Sequence, residues 1–211
     1  MMGADPARVP VFPLPGAILF PRAQLPLHIF EARYRDMVRD ATEGAGLIAM
    51  IQPQREGDDA PLHQVGCIGA IAALEEMGDG RFNIVLEGER RFRMIREAQV
   101  ETHYRQADVD LAAYDDDTMP APLGPARRQS VEEEAHRFGE ALKLEVDWNA
   151  VAQLDDETLV NAIAQIAPFD IGAKQALLEE ADLAPRADLL VQLMQFQRIA
   201  PGGPEADQTL Q

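Results

Sequence analysis

Residues that often serve as catalytic nucleophiles and bases are scarce in this chain of 211 residues. It contains one cysteine, Cys67, one serine, Ser130, and two lysines, Lys143 and Lys174. A Ser–Lys dyad needs the two groups within hydrogen-bond reach, but the pattern around Ser130 predicts a helix N-cap, with Lys143 near the other end of that helix. A Gly-Lys-Ser/Thr loop that could hold a nucleotide phosphate is also missing. We therefore predict that the chain has no catalytic residues and is not an enzyme.

The single cysteine and the short apolar runs indicate the cellular compartment of the protein. Cys67 cannot form a disulfide within the chain, which favours a reducing cytoplasm. Its apolar surroundings predict a buried, inert thiol rather than a nucleophile. Apolar runs stay well short of the roughly 20 residues that span a bilayer. We predict a cytoplasmic protein that does not associate with membranes.

Metal ligands occur only in pairs. Glu133 and His136 have a spacing found in di-iron helical bundles, but a second copy is missing. His63 and Cys67 offer two of the four ligands that zinc prefers. We predict neither a metal nor a cofactor.

The charge is strongly negative and unevenly distributed. The formal net charge is −17. Residues 1–113 carry 12 basic and 17 acidic groups, a net charge of −5, and residues 114–211 carry 7 and 19, a net charge of −12. Nucleic-acid binding depends on basic surface that displaces counterions from phosphates, so a nucleic-acid partner is disfavoured. The arginines between positions 90 and 96 alternate along a predicted strand, and we interpret them as a solvated face.

The chain changes composition near Tyr114. Before it, short apolar runs broken by proline and glycine predict mainly strands with one amphipathic helix after Ile29. Gly80 follows Asp79 in a predicted hairpin turn between two of these strands. The segment YDDDTMPAPLGP then predicts a linker, and everything beyond it has helical periodicity. We predict an α+β fold with a β-rich part at 1–114, an Asp/Pro-rich linker at 115–128 and a helical part at 129–211.

Three segments, in this order, resemble the N-terminal substrate-binding domain of Lon proteases. The first corresponds to the family's "PLFPL…lFPg…lPL.iFE.RY" string, and it comprises Pro13–Leu14, Phe20–Pro21, Leu25–Pro26–Leu27 and Phe30–Glu31–Ala32–Arg33–Tyr34. The second is GRFNIVLEGERRF at 80–92, and the third is KQALLE at 174–179 with Asp182, Leu183 and Arg186. The resemblance covers about residues 8–200.

The resemblance implies a PUA-like β pseudo-barrel with one helix, followed by a four-helix C-terminal bundle. Lon proteases add an ATPase module and a proteolytic module after this domain, and neither is present in these 211 residues. The resemblance therefore implies a stand-alone, non-catalytic recognition module. It would bind unfolded or damaged protein segments, or a protease partner, through apolar surface. The alternative is a small-ligand or RNA-binding PUA-like protein without catalysis.

Two sets of residues follow from these patterns as site candidates. We expect exposed apolar loops to carry binding, and the candidates are Phe20, Pro21, Leu25, Met77 and Phe82. Charged residues at motif positions more often form buried ion pairs that fix the fold. The residues expected to do so are Glu31, Arg33, Arg91 and Arg186.

Overall fold

The computed structural model describes residues 7–199, which divide into two compact units. The first unit ends at Met119 and the second begins at Pro120. Strands and one helix make up the first, and helices alone make up the second.

The first unit contains six strands and one helix. Its elements are β1 (Ala7–Pro13), β2 (Gln24–Ile29), α1 (Ala32–Glu43), β3 (Leu47–Pro53), β4 (Leu62–Glu76), β5 (Phe82–Ala98) and β6 (Gln106–Asp110).

The six strands form one sheet in the order β2-β5-β4-β3-β1-β6, and β6 also pairs with β5. The pairing of β1 with β3 is parallel, and the other pairings are antiparallel. The length of β5 makes this closure possible, because its first half pairs with β2 and its second half with β6. Five strands thus form a closed ring of pairings, and β2 lies outside the ring as an edge strand.

Two apolar clusters fill the first unit. One draws on all five strands of the ring and includes Val11, Ile51, Ile68, Phe92 and Val109. The other lies under α1, whose buried residues are Tyr34, Met37, Val38 and Ala41. These four positions follow the helical spacing of the sequence.

Gly88 lies inside β5. A Cβ atom at this position would be 2.0 Å from the carbonyl oxygen of Phe20, so only glycine lets the two backbones approach so closely. The Arg22 N–H donates to the Gly88 oxygen (2.6 Å), and the Gly88 N–H donates to the Ala23 oxygen (2.8 Å). The turn between Phe20 and Ala23 is therefore fixed against β5.

The second unit contains five helices among the described residues. They are α2 (Pro125–Ala141), α3 (Trp148–Val151), α4 (Asp156–Ile166), α5 (Ile171–Glu179) and α6 (Leu183–Ile199). The predicted cap at Ser130 is wrong, because Pro125 begins α2 one and a half turns earlier with Gly124 as its N-cap. Asp155 and Asp170 cap α4 and α5, accepting hydrogen bonds from the Thr158 N–H (2.9 Å) and the Ala173 N–H (2.7 Å).

Candidate functional site

A cleft of about 220 Å³ opens in the first unit where β1 ends, β2 ends and α1 begins. Prolines at 13 and 15 end β1, and β2 ends at Ile29, two residues before α1 is capped. The side chains that line the cleft come from these ends and from the loop after β3. They are Phe12, Pro13, Leu14, Pro15, Leu27, His28, Ile29, Phe30, Glu31, Arg33, Tyr34, Pro53 and Asp58, with Gly57.

The cleft has an apolar floor with one aromatic side chain left open. Phe12 and Tyr34 pack at a ring centroid distance of 4.4 Å and belong to the core. Phe30 is 61% exposed. It lies between β2 and α1, so neither the face of the strand nor the face of the helix covers it. An exposed phenylalanine beside buried apolar residues is a typical contact for a partner.

Charged groups form one rim of the cleft. The Arg33 guanidinium donates to Glu31 (2.9 Å) and to Asp58 (2.7 Å), and it lies over the Tyr34 ring at 4.6 Å from the centroid. The expectation that Glu31 and Arg33 form a buried pair is wrong, because their side chains are 43% and 29% exposed. An exposed pair of this kind contributes only about 0–1 kcal/mol to stability.

A second, shallower groove of about 490 Å³ lies on the sheet beside the cleft. Pro26, Val85 and Ala73 occupy adjacent positions on β2, β5 and β4 and line its floor. Beside them, His28 Nδ1 lies 2.8 Å from Asn83 Oδ1, and Asn83 Nδ2 donates to Glu75 at 3.2 Å. Since the Asn83 oxygen can only accept, His28 Nδ1 is the donor.

Leu27 and His28 line both depressions. The cleft and the groove therefore flank the C-terminal half of β2.

The predicted binding residues lie elsewhere. Phe20 is 0% exposed, Phe82 is 3% exposed, and Pro21 is buried, so the expectation that they present apolar surface is wrong. Phe20 is held by the backbone contact with Gly88, and Phe82 faces the α1 cluster. Leu25 and Met77 are half-buried, and none of the five lines the cleft or the groove. Phe30 and Leu27, which do line the cleft, were missed as candidates although both belong to the resemblance motif.

Arg91 and Asp116 form a buried pair, with side chains 4% and 2% exposed. Asp116 comes from the predicted linker, so that segment packs against β5 at this point. Burial alone would raise the pKa of Asp116, but hydrogen bonds from Arg91 outweigh burial and lower it.

Arg186 is also buried and has a structural position in the second unit. Its guanidinium donates to Asn161 Oδ1 (2.8 Å) and to the carbonyl oxygens of Glu180 (3.0 Å) and Ala181 (3.0 Å). It thereby satisfies carbonyl groups just beyond the end of α5.

Other reactive groups lie apart from the cleft. Cys67 is fully buried on β4, and burial raises the pKa of its thiol. Within residues 7–199, His, Cys, Asp and Glu side chains do not come together in groups of three that could bind a metal ion. The helices in that range also lack the combination of length and apolar character needed to cross a bilayer.

Comparison with known families gives a match over nearly all of the described residues. The family described as "ATP-dependent protease La (LON) substrate-binding domain" matches residues 8–195, which include every residue of the cleft and the groove.

The curated relatives that match are Lon proteases. The chain is 28% identical over 209 residues to Lon protease 2 of Myxococcus xanthus and 29% identical over 196 residues to Lon protease 1 of Bdellovibrio bacteriovorus. These alignments cover 92% and 89% of this chain but 24% of each relative. The chain thus spans about a quarter of the length of the curated relatives it matches.

Two solved structures share the fold. A Lon N-terminal domain protein from Xanthomonas campestris superposes with a TM-score of 0.63 at 24% identity, covering 88% of this chain and 98% of that one. The N-terminal domain of a Mycobacterium avium complex Lon protease gives a TM-score of 0.63 at 18% identity, covering 90% and 98%.

Proposed function

The chain belongs to the family of Lon substrate-binding domains, and from that premise we propose that it is a non-catalytic recognition module for unfolded or damaged polypeptide segments. We place the contact at the cleft and the groove that flank β2. A cleft of about 220 Å³ accommodates one or two side chains of an extended segment rather than the surface of a folded domain.

The observation that carries this proposal is the exposure of Phe30 within an apolar cleft. Covering a phenylalanine side chain contributes about 1.5–3 kcal/mol to binding. The same contact requires no particular partner sequence beyond an apolar residue, which suits recognition of segments that are normally buried in folded proteins.

The proposal extends to fold, partner and compartment. The closed ring of five strand pairings supports a PUA-like pseudo-barrel for the first unit, and the helices after Pro125 support a bundle for the second. A Lon-type protease is the proposed partner that would receive the bound segments. The buried, unpaired thiol of Cys67 fits a cytoplasmic setting.

A small ligand is the second candidate, because the cleft combines an aromatic floor with one guanidinium and two carboxylates. RNA is disfavoured by the net charge of −17.

The test is a fluorescence anisotropy titration with a reduced, unfolded model polypeptide at two salt concentrations. With a polypeptide whose net charge is close to zero, we expect saturable binding that changes little with salt, since the main contact is apolar. Phe30→Ala should raise Kd by about 10-fold or more. The matched control is Ile95→Ala, which removes another exposed apolar side chain of the first unit (56% exposed) that lies outside both depressions.

Equal effects of the two substitutions would exclude the cleft as the binding site, and no saturable binding would refute the recognition function. The role of the partner needs a separate assay, in which a Lon protease degrades a model substrate with and without this protein. An unchanged rate and an unchanged choice of substrate would refute that role.

A further inference from the structure

The outer edge of β2 carries backbone groups that point away from the sheet. The Gly88 N–H donates to the Ala23 oxygen, so the Ala23 carbonyl points toward β5, although the Gly88 oxygen accepts from Arg22 and the Ala23 N–H donates to Phe20. Hydrogen-bonded and outward-pointing residues alternate along an antiparallel strand. In the observed register, Leu25, Leu27 and Ile29 therefore bond to β5, and the backbone groups of Gln24, Pro26 and His28 point outward.

Pro26 occupies the outward position where its missing N–H costs no bond to β5. The outward edge then offers two donors, from Gln24 and His28, and three acceptors, from Gln24, Pro26 and His28. Within residues 7–199 these backbone groups have no hydrogen-bond partner. An unpaired edge of this kind is a template for another strand.

The side chains beside this edge fall on two faces of the sheet. Gln24, Pro26 and His28 are exposed on the outer face, where the groove lies, and Leu25 and Leu27 are half-buried on the opposite face. Residues directly opposite each other in an antiparallel pair place their side chains on the same face. A strand added to β2 would thus send alternate side chains toward the groove and toward the apolar face with Leu27.

The charge around the edge selects the kind of strand. The charged residues that line the cleft and the groove are three carboxylates, Glu31, Asp58 and Glu75, and one guanidinium, Arg33. Glu87 adds an exposed carboxylate beside Gln24 on the outer face. Arg81 Nη1 also lies 3.4 Å from His28 Nε2, but its guanidinium forms an ion pair with Asp79 (2.6 Å). The carboxylates around the edge therefore outnumber the guanidinium groups, and the surroundings are negative.

We propose that the outer edge of β2 pairs with an extended, positively charged segment of the bound polypeptide as an added antiparallel strand. Basic side chains lie on the outer face near Glu75 and Glu87, and apolar side chains lie on the opposite face with Leu25 and Leu27. This inference rests on the proposed function and specifies how, and for which segments, the site performs it.

The test uses a fluorescein-labelled eight-residue peptide of alternating valine and lysine and measures its Kd by anisotropy. In the proposed pairing the lysine N–H groups face β2. N-methylation of the lysine backbone nitrogens should abolish binding, and the same modification of the valines, the matched control, should change Kd less than about two-fold. A second peptide, of alternating valine and glutamate, should bind at least about ten-fold more weakly than the lysine peptide at low salt. The ratio of the two Kd values should shrink at high salt.

Two protein variants examine the same edge. His28→Pro and His28→Ala both remove the imidazole, but only proline also removes the outward N–H. We expect His28→Pro to bind about five-fold more weakly than His28→Ala, the effect of one hydrogen bond. Circular dichroism establishes whether both variants are folded. If His28→Pro is not folded, the N-methylated peptides decide whether the edge of β2 pairs with the segment.

The outcomes separate the two proposals. Equal binding of the two N-methylated series would overturn strand pairing, yet it would leave recognition at the cleft intact if Phe30→Ala still weakens binding. Equal binding of the basic and acidic peptides would overturn the preference for positive charge. If none of the peptides binds while an unfolded protein does, the edge is not the site.

Discussion

The buried pair of Arg91 and Asp116 gives the sharpest prediction for stability. Asp116 Oδ2 accepts from the Arg91 backbone N–H (2.7 Å), and the Arg91 guanidinium donates to the same carboxylate. Arg22 also donates to the Asp116 carbonyl oxygen (2.6 Å), so this residue attaches the 114–117 segment to the sheet. Asp116→Ala takes the carboxylate away from a guanidinium that is 4% exposed, and we expect a loss of about 3–5 kcal/mol in the free energy of unfolding.

The neighbouring pair provides the matched control. Arg90 and Asp117 also form an ion pair (2.5 Å), but their side chains are 36% and 77% exposed. Asp117→Ala should cost about 0–1 kcal/mol, because solvent screens an exposed pair. Urea denaturation followed by far-ultraviolet circular dichroism measures both. Losses that agree within about 1 kcal/mol would refute the argument that burial decides the value of the pair.

The same pair predicts a dependence on pH. Because Arg91 lowers the pKa of folded Asp116 below its ordinary value of 3.8, the unfolded chain binds this proton first as pH falls. The stabilisation is therefore complete well above pH 4 and is lost as pH falls through the folded-state pKa. Urea midpoints measured from pH 7 to pH 3 should fall more steeply for the parent and Asp117→Ala than for Asp116→Ala. Identical slopes would contradict the assignment.

Three further predictions address the core of the first unit. Tyr104 donates to Asp40 (2.7 Å), and burial together with this bond raises the pKa of Tyr104 to about 12. The stability that Tyr104 gives the folded protein should persist up to about pH 10 and disappear toward pH 12. Denaturation curves of Tyr104→Phe should not show this loss. Cys67 should resist a thiol reagent in the native protein and react fully in urea, and rapid native labelling would contradict its burial. Gly88→Ala should destabilise by about 2 kcal/mol or more in thermal denaturation, because the new Cβ would meet the Phe20 carbonyl, whereas Gly78→Ala, with open space around it, should have little effect.

The helix α1 shows what local patterns can predict. The helical spacing of Phe30, Tyr34, Met37, Val38 and Ala41 predicts one buried face. The structure buries the last four, whereas Phe30 precedes the helix and is 61% exposed. Such a face depends on neighbours three and four residues apart, so it can be inferred without knowing the tertiary fold. The order of strands followed by helices is predictable for the same reason.

Exposure of loops was not predictable in this way. Phe20 and Phe82 lie next to turn-forming residues, and turns usually lie at the surface. In the fold, the backbone at Phe20 contacts Gly88, 68 positions later, and Phe82 packs under α1. These are long-range contacts, and a single sequence gives no direct measure of them.

Asp116 shows the same limit within the predicted linker. Three consecutive aspartates predict solvated chain, and Asp115 and Asp117 are indeed exposed. Asp116 is buried because Arg91 lies opposite it, 25 positions earlier. The pairing partner, rather than the local composition, decides the environment of the carboxylate.

Pro26 connects the local rule to the candidate site. A proline inside an apolar run predicts an edge strand. Its nitrogen cannot donate a hydrogen bond, so it costs no ladder bond only where it faces a side without a neighbouring strand. The structure places it on the outward side of β2, between the outward donors of Gln24 and His28. The residue opposite Pro26 in an added strand would find the Pro26 carbonyl as an acceptor but no N–H donor. The edge therefore offers only two N–H donors, from Gln24 and His28, and this limits the affinity for any one sequence. An edge with that spacing suits weak binding of many segments better than tight binding of one.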